Sequence, residues 1–146
     1  MQNKNTFKFF IIHYKKLTER KRYLDIYFKQ NGFNHEYIDN IDRDKLSESD
    51  SNRFSKDKIN IAIFLSHIDA YKKIVNEDTE YSLVLEDDSI PKPIFKKSIN
   101  KYLKKLPADF DMFFVSPGKN NFNILFFKKN PFTQVHMKKN IQTTWG

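Results

Sequence analysis

Cysteine is absent from this chain of 146 residues, and glycine occurs only three times. Without cysteine, a disulfide scaffold, an iron–sulfur cluster, a thiolate zinc site and a cysteine nucleophile are all excluded. No stretch approaches the roughly 18 consecutive apolar residues of a membrane span, and the apolar run 9–12 is too short for the core of a signal peptide. We therefore expect a cytoplasmic protein that is at most peripheral to a membrane.

Aromatic side chains and positive charge are abundant instead. The chain has fifteen Phe, seven Tyr and one Trp, and each such side chain can bury roughly 150–250 Å² in a core. Lysine and arginine total 26 against 18 acids, which leaves a net charge of +8. This balance favours anionic partners such as phosphorylated ligands, nucleic acid or an anionic membrane surface. The length predicts a single domain over residues 1–146.

Apolar runs alternate with amphipathic segments along the chain. The pattern predicts strands at 7–14, 33–38, 82–85, 110–115 and 122–127, and helices at 18–30, 61–75 and 95–106. We expect Thr18 to cap the first helix, Asn31-Gly32 to end it, and a turn at 116–118. A polar loop is predicted at 39–57, and 112–146 forms a basic, strand-rich end without acidic residues. The fold class is therefore α/β, a mainly parallel sheet flanked by helices.

Three carboxylates directly follow the apolar strand 82–85, namely Glu86, Asp87 and Asp88. In open α/β sheets, ligands bind beyond the carboxyl ends of the strands. Strand alternation predicts that Glu86 and Asp88 face one way and Asp87 the other. Two like-facing carboxylates favour a bound Mg²⁺ or Mn²⁺, which keeps positions free for the phosphates of a nucleotide. The alternative is an ordinary polar loop after a strand.

Two further patterns are weaker. Ser66 and His67 diverge by about 100° on a helix, so they cannot form a nucleophile–base pair, and His67 can equally be a helix-edge residue. Arg20 lies in a first helical turn, where free backbone N–H groups attract anions, although a solvated helix start explains it too. The segment 14–20 lacks the glycines of a phosphate-binding loop. The other histidines do not have the spacing along the chain that metal ligands have; they are His13, His35 and His136.

Together these segments resemble glycosyltransferase family 25, which includes bacterial lipooligosaccharide galactosyltransferases and collagen hydroxylysine galactosyltransferases. The matching stretches are 10–14 with 18–20, the Ile-x-x-x-Leu-Ser-His pattern at 61–67, the segment 83–88 with 90–91 and Phe95, and 110–115. The resemblance covers the chain from about residue 7 to residue 115, and a short, weak similarity follows at 143–146.

The resemblance implies a Rossmann-like GT-A fold and a metal-assisted transfer of a sugar, typically galactose from UDP-galactose with Mn²⁺ (or Mg²⁺). The implied acceptor is a glycan, a glycolipid or a hydroxylysine-type protein side chain, in lipopolysaccharide biosynthesis or protein glycosylation. By resemblance, the metal ligands are Asp88 and Glu86. The implied donor-binding residues are His13, Arg20, His67, Glu86 and Asp87.

Members of that family continue well beyond the length of this chain. The resemblance therefore implies a donor-binding domain that is truncated at its C-terminus, with the acceptor half and the catalytic base beyond Gly146. No catalytic residue is assigned, and the activity of these residues alone stays open. Two alternatives remain: a non-catalytic glycosyltransferase-like domain kept for interaction, and a basic nucleic-acid-binding module. The acidic triplet disfavours a polyanion, so nucleic acid is not an expected partner.

Overall fold

The structure is a computed structural model that describes residues 7–47, 49, 57–115 and 125–128. Strands and helices alternate along most of this length. In chain order they are β1 (Phe7–Ile12), α1 (Thr18–Gln30), β2 (His35–Ile38), a 3-10 turn (Arg43–Lys45), α2 (Lys58–Val75), β3 (Tyr81–Glu86), α3 (Phe95–Leu103), β4 (Met112–Phe114) and β5 (Leu125–Lys128).

All five of these strands belong to one sheet with the order β2-β1-β3-β5-β4. Strands β2 and β3 both pair with β1 in parallel, whereas β5 is antiparallel to its neighbours β3 and β4. Strand β4 therefore runs in the same direction as the first three strands, and the predicted α/β class with a mainly parallel sheet is confirmed. The next strand along the chain, β2, lies on one side of β1, and β3 lies on the other side, so the order of the strands reverses at β1. This reversal puts the carboxyl ends of β1 and β3 side by side, where α/β sheets bind ligands.

Both faces of the central strands are buried, which explains their continuous apolar sequences. On β1, Phe9 and Ile11 belong to one core cluster, while Phe10 and Ile12 belong to another on the opposite face. The first cluster packs under α1 and α3, and consists of Phe7, Phe9, Ile11, Leu24, Phe28, Phe33, Leu83, Leu85, Ile99 and Phe113. The second packs under α2, and consists of Phe10, Ile12, Ile38, Ala70, Ile74 and Val84.

The ends of the helices show which sequence signals determine them. Helix α2 begins after Asp57, whose carboxylate accepts a hydrogen bond from the Ile59 N–H at 2.9 Å. Helix α1 follows Leu17 without a side-chain cap, so the expected cap at Thr18 is wrong: Thr18 is the first helical residue. The predicted stop after α1 is confirmed, because Gly32 adopts the left-handed φ of 60°.

Several predicted bounds are too wide. Strand β1 ends at Ile12 rather than at residue 14, because the chain turns there and Leu17 N–H donates to the Tyr14 carbonyl at 2.9 Å. Helix α3 ends at Leu103, although Leu106 still packs against the first core cluster. The predicted turn 116–118 lies outside the described residues, as do 122–124 of the last predicted strand, the basic end after 128, and residues 48 and 50–56 of the polar loop. Within the described ranges, every helix is too short or too polar to cross a membrane.

Candidate functional site

A cleft of about 210 Å³ opens at the carboxyl ends of β1 and β3. The turn from β1 into α1 forms one side, and the acidic turn after β3 contributes Glu86, Asp87 and Asp88. The first turns of α2 contribute an apolar wall that includes Ile59 and Ile63. The cleft therefore combines acidic groups with an apolar surface, as binding sites for polar organic ligands do.

The three acids lie at the end of β3, where Glu86 faces His67 of α2 and Asp87 faces Arg20 of α1, so these two side chains point to opposite sides of the sheet. Strand β3 ends at Glu86, and the Ser89 N–H donates to the Glu86 carbonyl at 2.9 Å, which closes a tight turn over residues 86–89. Within this turn Asp87 is buried and Asp88 is exposed, while Glu86 is half-buried. All three line the cleft.

Asp87 binds the two side chains His13 and Arg20, which follow β1 along the chain. Its carboxylate lies 2.7 Å from His13 Nδ1 and 2.5 Å from Arg20 Nη1. Because a carboxylate only accepts, Nδ1 carries the proton, and Nε2 of the buried His13 ring has no partner among the residues that the structure describes. These contacts, here called the Asp87 network, join β3 to the start of α1. The structure thus brings together three of the residues that the sequence singled out.

The His13 ring packs edge-on against Tyr37, with the ring centroids 5.4 Å apart. Burial raises the pKa of the Tyr37 hydroxyl, and the hydrogen bond to Asp25 and the charge of Asp87 raise it further. Tyr37 therefore stays neutral and provides an apolar wall behind His13. This wall excludes water from one side of the Asp87 network.

Among the described residues, Glu86 and Asp88 have only weak protein partners. The hydroxyl of Ser89 contacts Asp88 at 3.4 Å, and within the described ranges no cationic group lies at ion-pair distance from Asp88. Glu86 lies 3.9 Å from His67 Nε2, and the Tyr71 hydroxyl contacts the other nitrogen of that ring at 3.3 Å. His67 therefore approaches the acidic turn from α2.

The two available carboxylates fit a divalent cation that the ligand helps to hold. In the part of the chain that the structure describes, no group of three or more His, Asp or Glu residues is arranged to hold a metal ion. Mg²⁺, however, is usually bound by one or two carboxylates together with substrate phosphates. Glu86 and Asp88 match this donor set, whereas Asp87 is already bound to His13 and Arg20.

Sequence reasoning missed a cluster at the rim of the cleft, formed by Tyr14, Lys16, Arg43 and Asp44. The Tyr14 hydroxyl donates to Asp44 at 2.6 Å, and Lys16 forms an ion pair with the same carboxylate. These two hydrogen bonds, that of Lys16 first, lower the pKa of Asp44. Arg43 lies with its Cζ atom 4.3 Å from the centre of the Tyr14 ring. The signal in the sequence was the length of the polar loop, since long loops in compact domains are often functional.

Comparison with known proteins identifies the family of the chain. A family model described as glycosyltransferase family 25 (LPS biosynthesis protein) matches residues 6–143 of the chain. A search of curated proteins gave no match. The matched range contains every residue of the cleft named above, and it confirms the resemblance drawn from the motifs. The chain therefore belongs to glycosyltransferase family 25, and membership implies a glycosyltransferase that acts between a nucleotide sugar and a glycan acceptor.

Proposed function

We propose that the cleft binds a UDP-linked sugar, galactose in the first instance, with a divalent cation, Mn²⁺ or Mg²⁺, held by Glu86 and Asp88. The sugar is then transferred to a glycan, a glycolipid or a hydroxylysine-type acceptor, on a GT-A type fold. One observation carries the proposal: His13 and Arg20 engage Asp87, so Glu86 and Asp88 are left as the available carboxylates of the cleft. A cytoplasmic location near an anionic membrane surface stays a prediction.

The residues of the cleft have different roles in binding the donor. When bound, the cation would stabilise the negative charge that develops on the departing diphosphate. Arg20, in the first turn of α1, contacts the nucleotide of the donor, and its bond to Asp87 fixes the direction of its guanidinium. His13 Nε2 offers a hydrogen-bonding position to the donor, and the Asp87 carboxylate fixes the orientation of the ring. The apolar wall of α2 excludes water from the side of Ile59.

Calorimetric titration of the chain with UDP tests the metal-dependent step. We expect binding that requires Mn²⁺ and that weakens at least about tenfold, roughly 1.4 kcal/mol, in Asp88→Asn. Asp78→Asn is the matched control, because Asp78 is an exposed acid before β3, at the opposite end of that strand. Equal affinity with and without Mn²⁺, or equal affinity in Asp88→Asn and wild type, would contradict the proposal.

A turnover assay separates an enzyme from a binding domain. Release of UDP from UDP-galactose, above the level of a Glu86→Gln/Asp88→Asn double variant, shows that the chain breaks the bond between sugar and phosphate. UDP-glucose and GDP-mannose in the same assay report the preference for the sugar and for the base. Mn²⁺-dependent binding without any release in the presence of acceptors would favour the non-catalytic alternative.

A further inference from the structure

Arg43 lies at the rim of the cleft, in the 3-10 turn after β2. We propose that its guanidinium binds the β-phosphate of the donor, and that Tyr14 is the residue that positions it. This inference rests on the proposed function, because it assigns a second contact to the same donor. Tyr14 is the last residue of the matching stretch 10–14, whereas Arg43 lies outside the motifs by which the sequence resembles its family.

Tyr14 is held at both ends and forms a fixed support for Arg43. Its carbonyl accepts from the Leu17 N–H at 2.9 Å, and its hydroxyl donates to Asp44 at 2.6 Å. The Cζ atom of Arg43 lies 4.3 Å from the centre of the Tyr14 ring, within the range of a cation–π contact. A guanidinium on such a support loses little further freedom when it binds a ligand, so the contact is pre-organised.

The hydrogen-bond donors of Arg43 remain available. Its Nε atom is 3.8 Å from the Asp44 carboxylate, which is too far for a hydrogen bond. That carboxylate already accepts from Tyr14 and Lys16. Within the residues that the structure describes, the guanidinium therefore makes no hydrogen bond, and a planar fork of N–H groups is the donor set that suits phosphate oxygens.

The balance of charges in the cleft favours a role for Arg43 in binding the negatively charged donor. The two carboxylates Glu86 and Asp88 would formally neutralise a divalent cation, and Arg20 is neutralised by Asp87. The bound metal and the Asp87 network then contribute little net positive charge, while a nucleoside diphosphate brings a net negative charge. Arg43 and Lys16 share the single carboxylate of Asp44, which lies 3.8 Å from Arg43 Nε, so these three side chains together keep a net positive charge at the rim of the cleft. The β-phosphate distinguishes UDP from UMP, so the two nucleotides report on this contact.

Titration of each variant with UDP and with UMP, both with Mn²⁺, tests the assignment. We expect Arg43→Gln to weaken UDP binding at least about tenfold and UMP binding less than about threefold. Arg43→Lys should fall between Gln and wild type, because lysine keeps the charge but loses the planar fork. Arg22→Ala is the matched control, since Arg22 is an exposed arginine on α1. Unchanged UDP affinity in Arg43→Gln, or equal losses for UDP and UMP, would overturn the assignment.

Tyr14 variants test the positioning role. Tyr14→Phe keeps the ring, so UDP affinity should change less than about twofold, whereas Tyr14→Leu should weaken it about fivefold. If Tyr14 acts through Arg43, then Tyr14→Leu adds nothing to Arg43→Gln in the double variant. Fully additive losses would refute that role. Absence of UDP binding in the wild type would instead count against the proposed function, and circular dichroism of each variant verifies that it is folded.

Discussion

Replacing Asp87 by asparagine should destabilise the fold far more than the same change at Asp88. Asp87 is buried and binds His13 and Arg20, whereas Asp88 is exposed and, among the described residues, has only a side-chain contact with Ser89 at 3.4 Å. The two substitutions are chemically identical and one residue apart. Their difference therefore isolates the contribution of the Asp87 network.

The size of the effect follows from the hydrogen bonds. Both partners of Asp87 donate, and an asparagine amide offers one oxygen together with an NH₂ group that is itself a donor. One donor is therefore left facing another beside the buried His13, which costs about 1–3 kcal/mol. The contact of Arg20 adds less than about 1 kcal/mol, since 45% of its side chain is exposed and solvent screens the charge. We expect a total loss of about 2–3 kcal/mol for Asp87→Asn and less than about 0.5 kcal/mol for Asp88→Asn.

Urea denaturation followed by circular dichroism measures both values at pH 7. For a chain of this length, the loss in Asp87→Asn corresponds to a decrease in Tm of roughly 5–10 °C. If Asp87→Asn stayed within about 0.5 kcal/mol of wild type, the Asp87 network would not be a structural link. A loss of similar size in Asp88→Asn would also refute the reasoning, because that carboxylate would then have an unrecognised partner.

Three further predictions concern the scaffold. Phe28→Ala should cost about 3–5 kcal/mol of unfolding free energy, because Phe28 is fully buried; a urea-measured loss below about 1 kcal/mol would contradict the packing. Glu36→Gln should reduce the free energy of unfolding at pH 7, since hydrogen bonds from Lys73 and Lys8 lower the pKa of Glu36. The stabilisation by these ion pairs is fully present above the ordinary pKa of glutamate, and it is lost as the pH falls through the lowered pKa of Glu36. Urea titrations at pH 7 and pH 3 should show the difference from wild type shrinking in acid, and an equal difference at both would be inconsistent with the ion pairs. Gly32→Ala should cost about 1–2 kcal/mol because φ is 60°, whereas Gly32→Asn should cost less in the same urea measurement; equal costs would argue against a conformational origin.

The central strands could be predicted because their sequences carry the signal of burial on both faces. The apolar run of β1 has no polar face, as expected of a strand covered by helices on each side. Helix bounds were predicted with uneven accuracy: α1 has the predicted bounds, whereas α2 begins at Lys58 instead of residue 61. Leu17 has no capping group, and the capping residue type stands one position later, at Thr18, which is already helical. The sequence patterns therefore predicted which strands and helices form, but not every residue at which they begin and end.

The candidate site was predictable only where it depends on residues close in sequence. The acidic turn is a single run of the chain, and its place at the end of β3 follows from the strand before it. Strand alternation separates Glu86 from Asp87, but it does not reveal that Asp87 is the buried partner of His13, which lies 74 residues away along the chain. The contact between Tyr14 and Arg43 joins two loops that are distant along the chain, and no local pattern encodes it.

A crystal structure of the chain with Mn²⁺ and UDP tests the central claim most directly. The account predicts an anomalous Mn²⁺ peak in direct contact with carboxylate oxygens of Glu86 and Asp88 and with the diphosphate, while Asp87 keeps its bonds to His13 and Arg20. A nucleotide bound elsewhere, or a metal ion held by other residues with Asp88 turned to solvent, would contradict it.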